Sequence, residues 1–98
     1  MATSVDELTI SYFEEGVETT KELDKEVLTK GAWSTLMYRY QDWDKKLQDY
    51  GPIKFSIRRY QKTKGEYKQR SKFNISSVDQ AKQIIAILQR WVEEQEES

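Results

Sequence analysis

The sequence predicts an α+β domain in which four antiparallel strands are followed by one C-terminal helix. Three features carry this expectation. Stretches rich in aromatic and β-branched residues recur at 32–43, 53–61 and 67–75, and a weaker one lies at 22–29. Turn residues separate them, at Lys30-Gly31, at Tyr50-Gly51-Pro52 and within Lys62–Glu66. After Ser76-Ser77 the apolar period lengthens from two to that of a helix.

Each element has its own signal. In 22–29, Leu23, Lys25, Val27 and Thr29 share one side of a first strand. In 32–43 one face carries Trp33, Thr35, Met37, Arg39, Gln41 and Trp43, and the other carries Ser34, Leu36, Tyr38, Tyr40 and Asp42. Neither face is purely polar, so parity does not orient this strand. In 53–61, Ile53, Phe55 and Ile57 alternate with Lys54, Ser56, Arg58 and Tyr60. In 67–75, Tyr67, Phe73 and Ile75 oppose Lys68, Arg70, Lys72 and Asn74. A longer hairpin loop, Lys62–Glu66, joins these two strands, with Gly65 in the left-handed position. Pairing about that loop sets Tyr60 near Lys68 and Arg58 near Arg70, which gathers Lys54, Arg58, Tyr60, Lys68, Arg70 and Lys72 on one face. Ser77 and Gln80 form a capping-box signature for a helix over 78–92. Its apolar arc, widened by Ile84, Ile87 and Trp91, exceeds what one sheet face needs. Deeper wrapping within its own sheet would account for that width. A second copy of the chain accounts for it more simply, making Ile84, Ile87, Leu88 and Trp91 a dimer interface.

Charge is segregated along the chain. Residues 1–26 hold eight acids and two bases, residues 27–92 five acids and fourteen bases, and residues 93–98 four glutamates, within a net charge of −1. Residues 1–20 accordingly read as an acidic, mobile tail with one short apolar patch (Leu8, Ile10, Tyr12, Phe13). Residues 21–92 form the domain, and 93–98 a fraying acidic tail. The chain has no Cys and no His, which excludes disulfides, thiol nucleophiles, zinc ribbons and His general bases. Its 4 glycines are isolated, so no phosphate loop exists. Asp42 and Asp44 have a spacing that could hold magnesium, but such spacing is common in loops. The expectation is a non-enzymatic, cytoplasmic protein without metal or cofactor: no apolar run reaches membrane-spanning length, and no leader pattern opens the chain.

Binding chemistry suits these residues better than catalysis. Cations on a strand face neutralise phosphates, and interleaved rings stack on unpaired bases. The expected phosphate ligands are Lys54, Arg58, Lys68, Arg70 and Lys72. Tyr60 is expected to stack, joined by Trp33, Trp43 and Arg39 if the odd face of 32–43 is exposed. Core packing is the competing role for each tryptophan. The helix has only Lys82 and Arg90 as bases, so duplex reading fits poorly and single strands fit better. The acidic ends would then compete with phosphate for the basic face, and removing residues 1–20 would tighten binding at low salt. A protein–protein adaptor and an RNA-specific binder are the rival readings.

The run Lys54-Phe55-Ser56-Ile57-Arg58-Arg59-Tyr60, then Gly65-Glu66, then Arg70-Ser71-Lys72-Phe73-Asn74-Ile75-Ser76 before a helix, resembles the transcriptional positive cofactor 4 family. The likeness spans roughly 23–92 and is specific over 53–77. Where the family carries glycines around its lysine, this chain has Ser71 and Phe73 beside Lys72. The resemblance implies a curved β-surface that binds single-stranded DNA with little sequence preference, dimerisation through the C-terminal helix, and a role as a transcriptional coactivator or regulator.

Overall fold

The computed structural model describes residues 2–97, in the order of a 3-10 turn (Val5–Glu7), β1 (Tyr12–Glu14), β2 (Val17–Thr29), β3 (Trp33–Asp44), β4 (Asp49–Tyr50), β5 (Lys54–Thr63), β6 (Glu66–Ile75) and α1 (Val78–Glu97). All strand pairs are antiparallel, in the order β1-β2-β3-β5-β6, with β4 against the end of β3. The α+β class and the C-terminal helix stand as expected. The strand count does not, because the expected four-strand sheet gains β1 and β4 and a first strand that begins at Val17 rather than 22. The cause is a tight hairpin at Glu15-Gly16, where both residues take positive φ (49° and 82°). Lys64-Gly65 repeats that geometry (53° and 81°), so β5 and β6 meet in a two-residue turn rather than the longer loop expected. Positive φ at both central positions matches the right-handed twist of the flanking strands, and glycine tolerates it without steric cost.

The core lies where the sequence placed a mobile tail. Val5, Leu8 and Ile10 pack on the even-numbered face of β3 and β5 and are buried with Leu36, Tyr38, Tyr40 and Tyr60. This N-terminal strap is tied by its backbone. Lys25 Nζ donates to the carbonyls of Val5, Asp6 and Leu8 at 3.3, 3.0 and 2.7 Å. A Glu22 carboxylate oxygen accepts from Ile10 N and Thr9 Oγ1, and Tyr67 N donates to the Ala2 carbonyl. Within the strap, Glu7 accepts hydrogen bonds from Thr3 and Ser4, which hold its carboxyl below the usual range. Residues 2–10 are therefore a layer of the fold. Of the expected apolar patch, Leu8 and Ile10 turn inward, while Tyr12 and Phe13 sit exposed on β1.

Helix α1 begins at its expected position, with Gln80 N donating to Ser77 Oγ at 3.0 Å. The Gln80 side chain reaches one residue further back than a standard box and accepts from Ser76 N. The helix continues to Glu97, so residues 93–97 are helical rather than frayed. It crosses the odd-numbered face of the sheet without sealing it. None of its described residues is buried, and a groove of about 380 Å³ separates Ala81, Ile84, Ile85 and Leu88 from Met37, Phe55 and Ile75.

Candidate nucleic-acid interface

Register decides which basic side chains share a surface. Beyond the middle of β5, Arg58 lies opposite Lys72 and Ser56 opposite Asn74. Toward the turn, Tyr60 lies opposite Gln69 and Gln61 opposite Lys68. The slip between these stretches is a bulge at Arg70. One extra residue reverses the parity of the strand beyond it, so side chains on the turn side of the bulge change face. Arg58 is on the strap side, where its Nε donates to Ser56 Oγ and its Nη1 to Gln69 Oε1. Arg70 is on the helix side, where its Nε donates to Gln61 Oε1 at 3.1 Å. The single basic face expected from the sequence is thus divided, with Lys54, Arg58 and Lys72 on one side and Lys68 and Arg70 on the other.

Tyr60 is not available to a ligand. It is 5% exposed beneath the strap, and its hydroxyl lies 3.0 Å from that of Tyr38. Burial raises the pKa of Tyr38, Tyr60 and Tyr40. The hydrogen bond to Tyr60 raises Tyr38 further, Asp42 adds to the shift of Tyr40, and the Tyr38 bond and Arg58 temper that of Tyr60. A phenol whose folded pKa exceeds its unfolded value of about 10 contributes stability that is present below that pH and lost as pH rises past it. Denaturant melts are therefore expected to hold steady from neutral pH to about 10 and weaken above it. Tyrosinate absorbance from these three rings should rise only with unfolding. Their ionisation near pH 10 in a protein of undiminished stability would contradict this burial.

The odd face of β3 is the outer one, and it brings together a cluster that parity had left open. Trp33 is 44% exposed, and the Arg59 guanidinium lies over its ring, 4.7 Å from the centroid. Gln61, directly opposite Trp33, pairs on its other side with Lys68 and holds Arg70. Trp33, Arg59, Lys68 and Arg70 therefore share the hairpin end of the helix-side face, with Glu66 as the carboxylate of that turn. Arg59 is the residue that sequence reasoning missed. It has odd parity in β5, and only the orientation of β3 puts it beside Trp33.

The remaining expected residues lie elsewhere. Arg39 is ion-paired with Asp24 at 3.1 Å, and Lys54 with Asp42 at 3.0 Å. Trp43 is half-buried, edge-on to Tyr50 at 5.1 Å, and α1 crosses the sheet between it and Trp33. Asp44 caps the following turn by accepting from Lys46 N and Leu47 N. Of the expected dimer residues, Ile84 and Leu88 line the groove toward their own sheet, and Leu88, Ile87 and Trp91 remain exposed.

Chemically, this surface offers an indole ring, a planar guanidinium stacked on it and two further cations, all open to solvent. That set can stack an unpaired base and neutralise adjacent phosphates. Comparisons of the chain with protein-family models, with curated proteins and with solved structures found no match. Among the described residues no helix is long and apolar enough to cross a membrane.

Proposed function

We propose that the chain binds single-stranded DNA with little sequence preference, through Trp33, Arg59, Lys68 and Arg70. It acts as a homodimer joined through α1, in the regulatory role that the cofactor 4 resemblance implies. The observation that carries this reading is the Arg59–Trp33 stack on an open sheet face beside Lys68 and Arg70. Buried rings serve packing. A half-exposed tryptophan roofed by an arginine serves it poorly, because much of its apolar surface stays in water. The dimer rests on apolar exposure, since Leu88, Trp91 and Val92 each keep more than half their surface in solvent. Covering such a patch on a partner stabilises association. Arg58 and Lys72, cross-strand neighbours without a carboxylate between them, form a weaker basic strip on the strap side.

The test is anisotropy of a labelled oligothymidine against matched RNA and duplex, over a salt series. If Arg59, Lys68 and Arg70 neutralise three phosphates, the slope of log affinity on log salt is about −2. Trp33→Ala should weaken binding by about 5- to 150-fold, the equivalent of roughly 1–3 kcal/mol of stacking. Lys72→Ala should cost less. Equal affinity for single strand and duplex, or an unchanged Trp33→Ala variant, would overturn the assignment. A preference for RNA that disappears with the 2′-hydroxyl would move it to the RNA-binding reading.

A further inference from the structure

Most charges among the described residues form no ion pair within the chain. Among the described residues only two ion pairs form, Arg39–Asp24 and Lys54–Asp42. The remaining charges are biased by position in the sheet. One side, β1 and β2, carries Glu14, Glu18, Glu22 and Glu26 against Lys21 and Lys25, and the other, β6, carries Lys68, Arg70 and Lys72 against Glu66. Three strand spacings separate β2 from β6, about 14 Å. That exceeds the screening length of about 8 Å at physiological salt.

Both sides also end in backbone that no further strand covers. β6 is the terminal strand, with Tyr67 N near its start donating to the Ala2 carbonyl. β2 has no outer strand beyond Thr20, where Glu22 N donates to Ser11 Oγ and Lys25 N to the Asp24 carboxylate. Exposed apolar side chains accompany both edges, Leu23 and Leu28 on β2 and Phe73 on β6. An edge strand normally avoids association through like charges that repel an identical edge. Here that protection works for β6 against β6 and for β2 against β2, but it reverses for β6 against β2.

We propose that the acidic β2 edge of one copy docks against the basic β6 edge of another, in a head-to-tail association of identical chains. The topology permits it without rearrangement. With every neighbour antiparallel, β6 and the next copy's β2 meet antiparallel and the two faces of the sheet continue across the junction. The register places Glu26 level with Phe73, so setting Glu26 against Arg70 or Lys68 staggers the copies by about three to five residues, roughly 10–16 Å. Bulges in β2 between Glu22 and Asp24 and between Val27 and Thr29 confine the shared ladder to a few residues. The association is therefore weak, dominated by charge and released by salt. Being heterologous, it leaves a free β2 edge on one copy and a free β6 edge on the other, and so adds copies with concentration. It extends beyond the α1 dimer, which is apolar and insensitive to salt, and it does not depend on nucleic acid.

Sedimentation velocity without nucleic acid, over a concentration series at 25 mM and 500 mM salt, tests it. The weight-average mass is expected to climb with concentration at low salt, to at least twice its high-salt value, and to stay flat at high salt. Asp24→Lys/Glu26→Lys and Lys68→Glu/Lys72→Glu, each checked for an unchanged circular dichroism spectrum, should each lose the climb. Their equimolar mixture should regain it. Glu94→Lys/Glu96→Lys, which changes net charge equally but leaves both edges intact, should keep it. A wild-type mass independent of salt, a climb retained in either edge variant, or a mixture that stays dispersed would overturn the proposal. A constant mass of two chains at both salts would leave the α1 dimer standing and remove the edge contact alone.

Discussion

Deleting residues 1–10 is expected to leave a chain that does not fold cooperatively. Val5, Leu8 and Ile10 are each nearly sealed, and burying such side chains contributes about 1.5–3 kcal/mol apiece, or about 5–9 kcal/mol together. The whole stability of a domain this size is typically about 5–15 kcal/mol. The deletion would also leave Leu36, Tyr38, Tyr40 and Tyr60 facing water and release Lys25 from three carbonyls. A truncated chain should show lost near-ultraviolet dichroism and no thermal transition. A synthetic peptide of residues 1–11 supplied in trans should restore part of both. An inhibitory acidic tail would behave in the opposite way, with deletion leaving the melt intact and tightening oligonucleotide binding. A melting temperature within a few degrees of the full chain would therefore restore the tail reading and remove the strap from the core.

Replacing Tyr60 by alanine should cost about 3–5 kcal/mol of stability, the range for removing a buried aromatic side chain. The ring fills the space between strap and sheet, and its hydroxyl is the partner of Tyr38 in the core. Tyr60→Phe isolates one effect, since it keeps the ring and strands the Tyr38 hydroxyl at a cost of about 1–3 kcal/mol. The double variant Tyr38→Phe/Tyr60→Phe should cost less than the sum of the single changes, because removing both hydroxyls leaves no orphan. Urea melts of the four proteins check this. If Tyr60 were instead a stacking platform for bases, Tyr60→Ala would lower oligonucleotide affinity and leave the urea midpoint unchanged. That result would mean the strap is not seated on this face in solution.

The structure also explains why some elements were legible in sequence and others were not. The strands at 32–43, 53–61 and 67–75 and the helix start at Ser77 are local features, set by period, turn residues and a cap within a few positions of one another. The hairpin at Glu15-Gly16 was equally local. It uses the same acid-or-base-then-glycine turn as Lys64-Gly65, but its first strand has only three residues and gives almost no alternation to detect. The strap was beyond reach for a different reason. Val5, Leu8 and Ile10 have no strand or helix period, and they are apolar inside an acidic stretch, so nothing nearby states what they cover.

The candidate surface divides in the same way. Sequence named Trp33, Lys68 and Arg70 as members of a cationic, aromatic set, and the structure does place them on one open face. It also grouped them with Arg58, Lys72 and Tyr60, which belong to the opposite one. A single bulged residue at Arg70 accounts for that split, and a bulge is decided by how two strands accommodate each other rather than by either strand's own pattern.

What the sequence determined by itself is the chemistry available, namely an α+β chain without thiol or imidazole groups and with bases concentrated on its second hairpin. Period, composition and capping act over a handful of residues and need no partner to be read. Only the tertiary structure decided which bases stand together, which tyrosines are withdrawn from solvent and that the acidic N-terminal stretch is core. Those outcomes depend on register between strands and on which segment covers which face, both fixed by contacts between residues far apart in the chain.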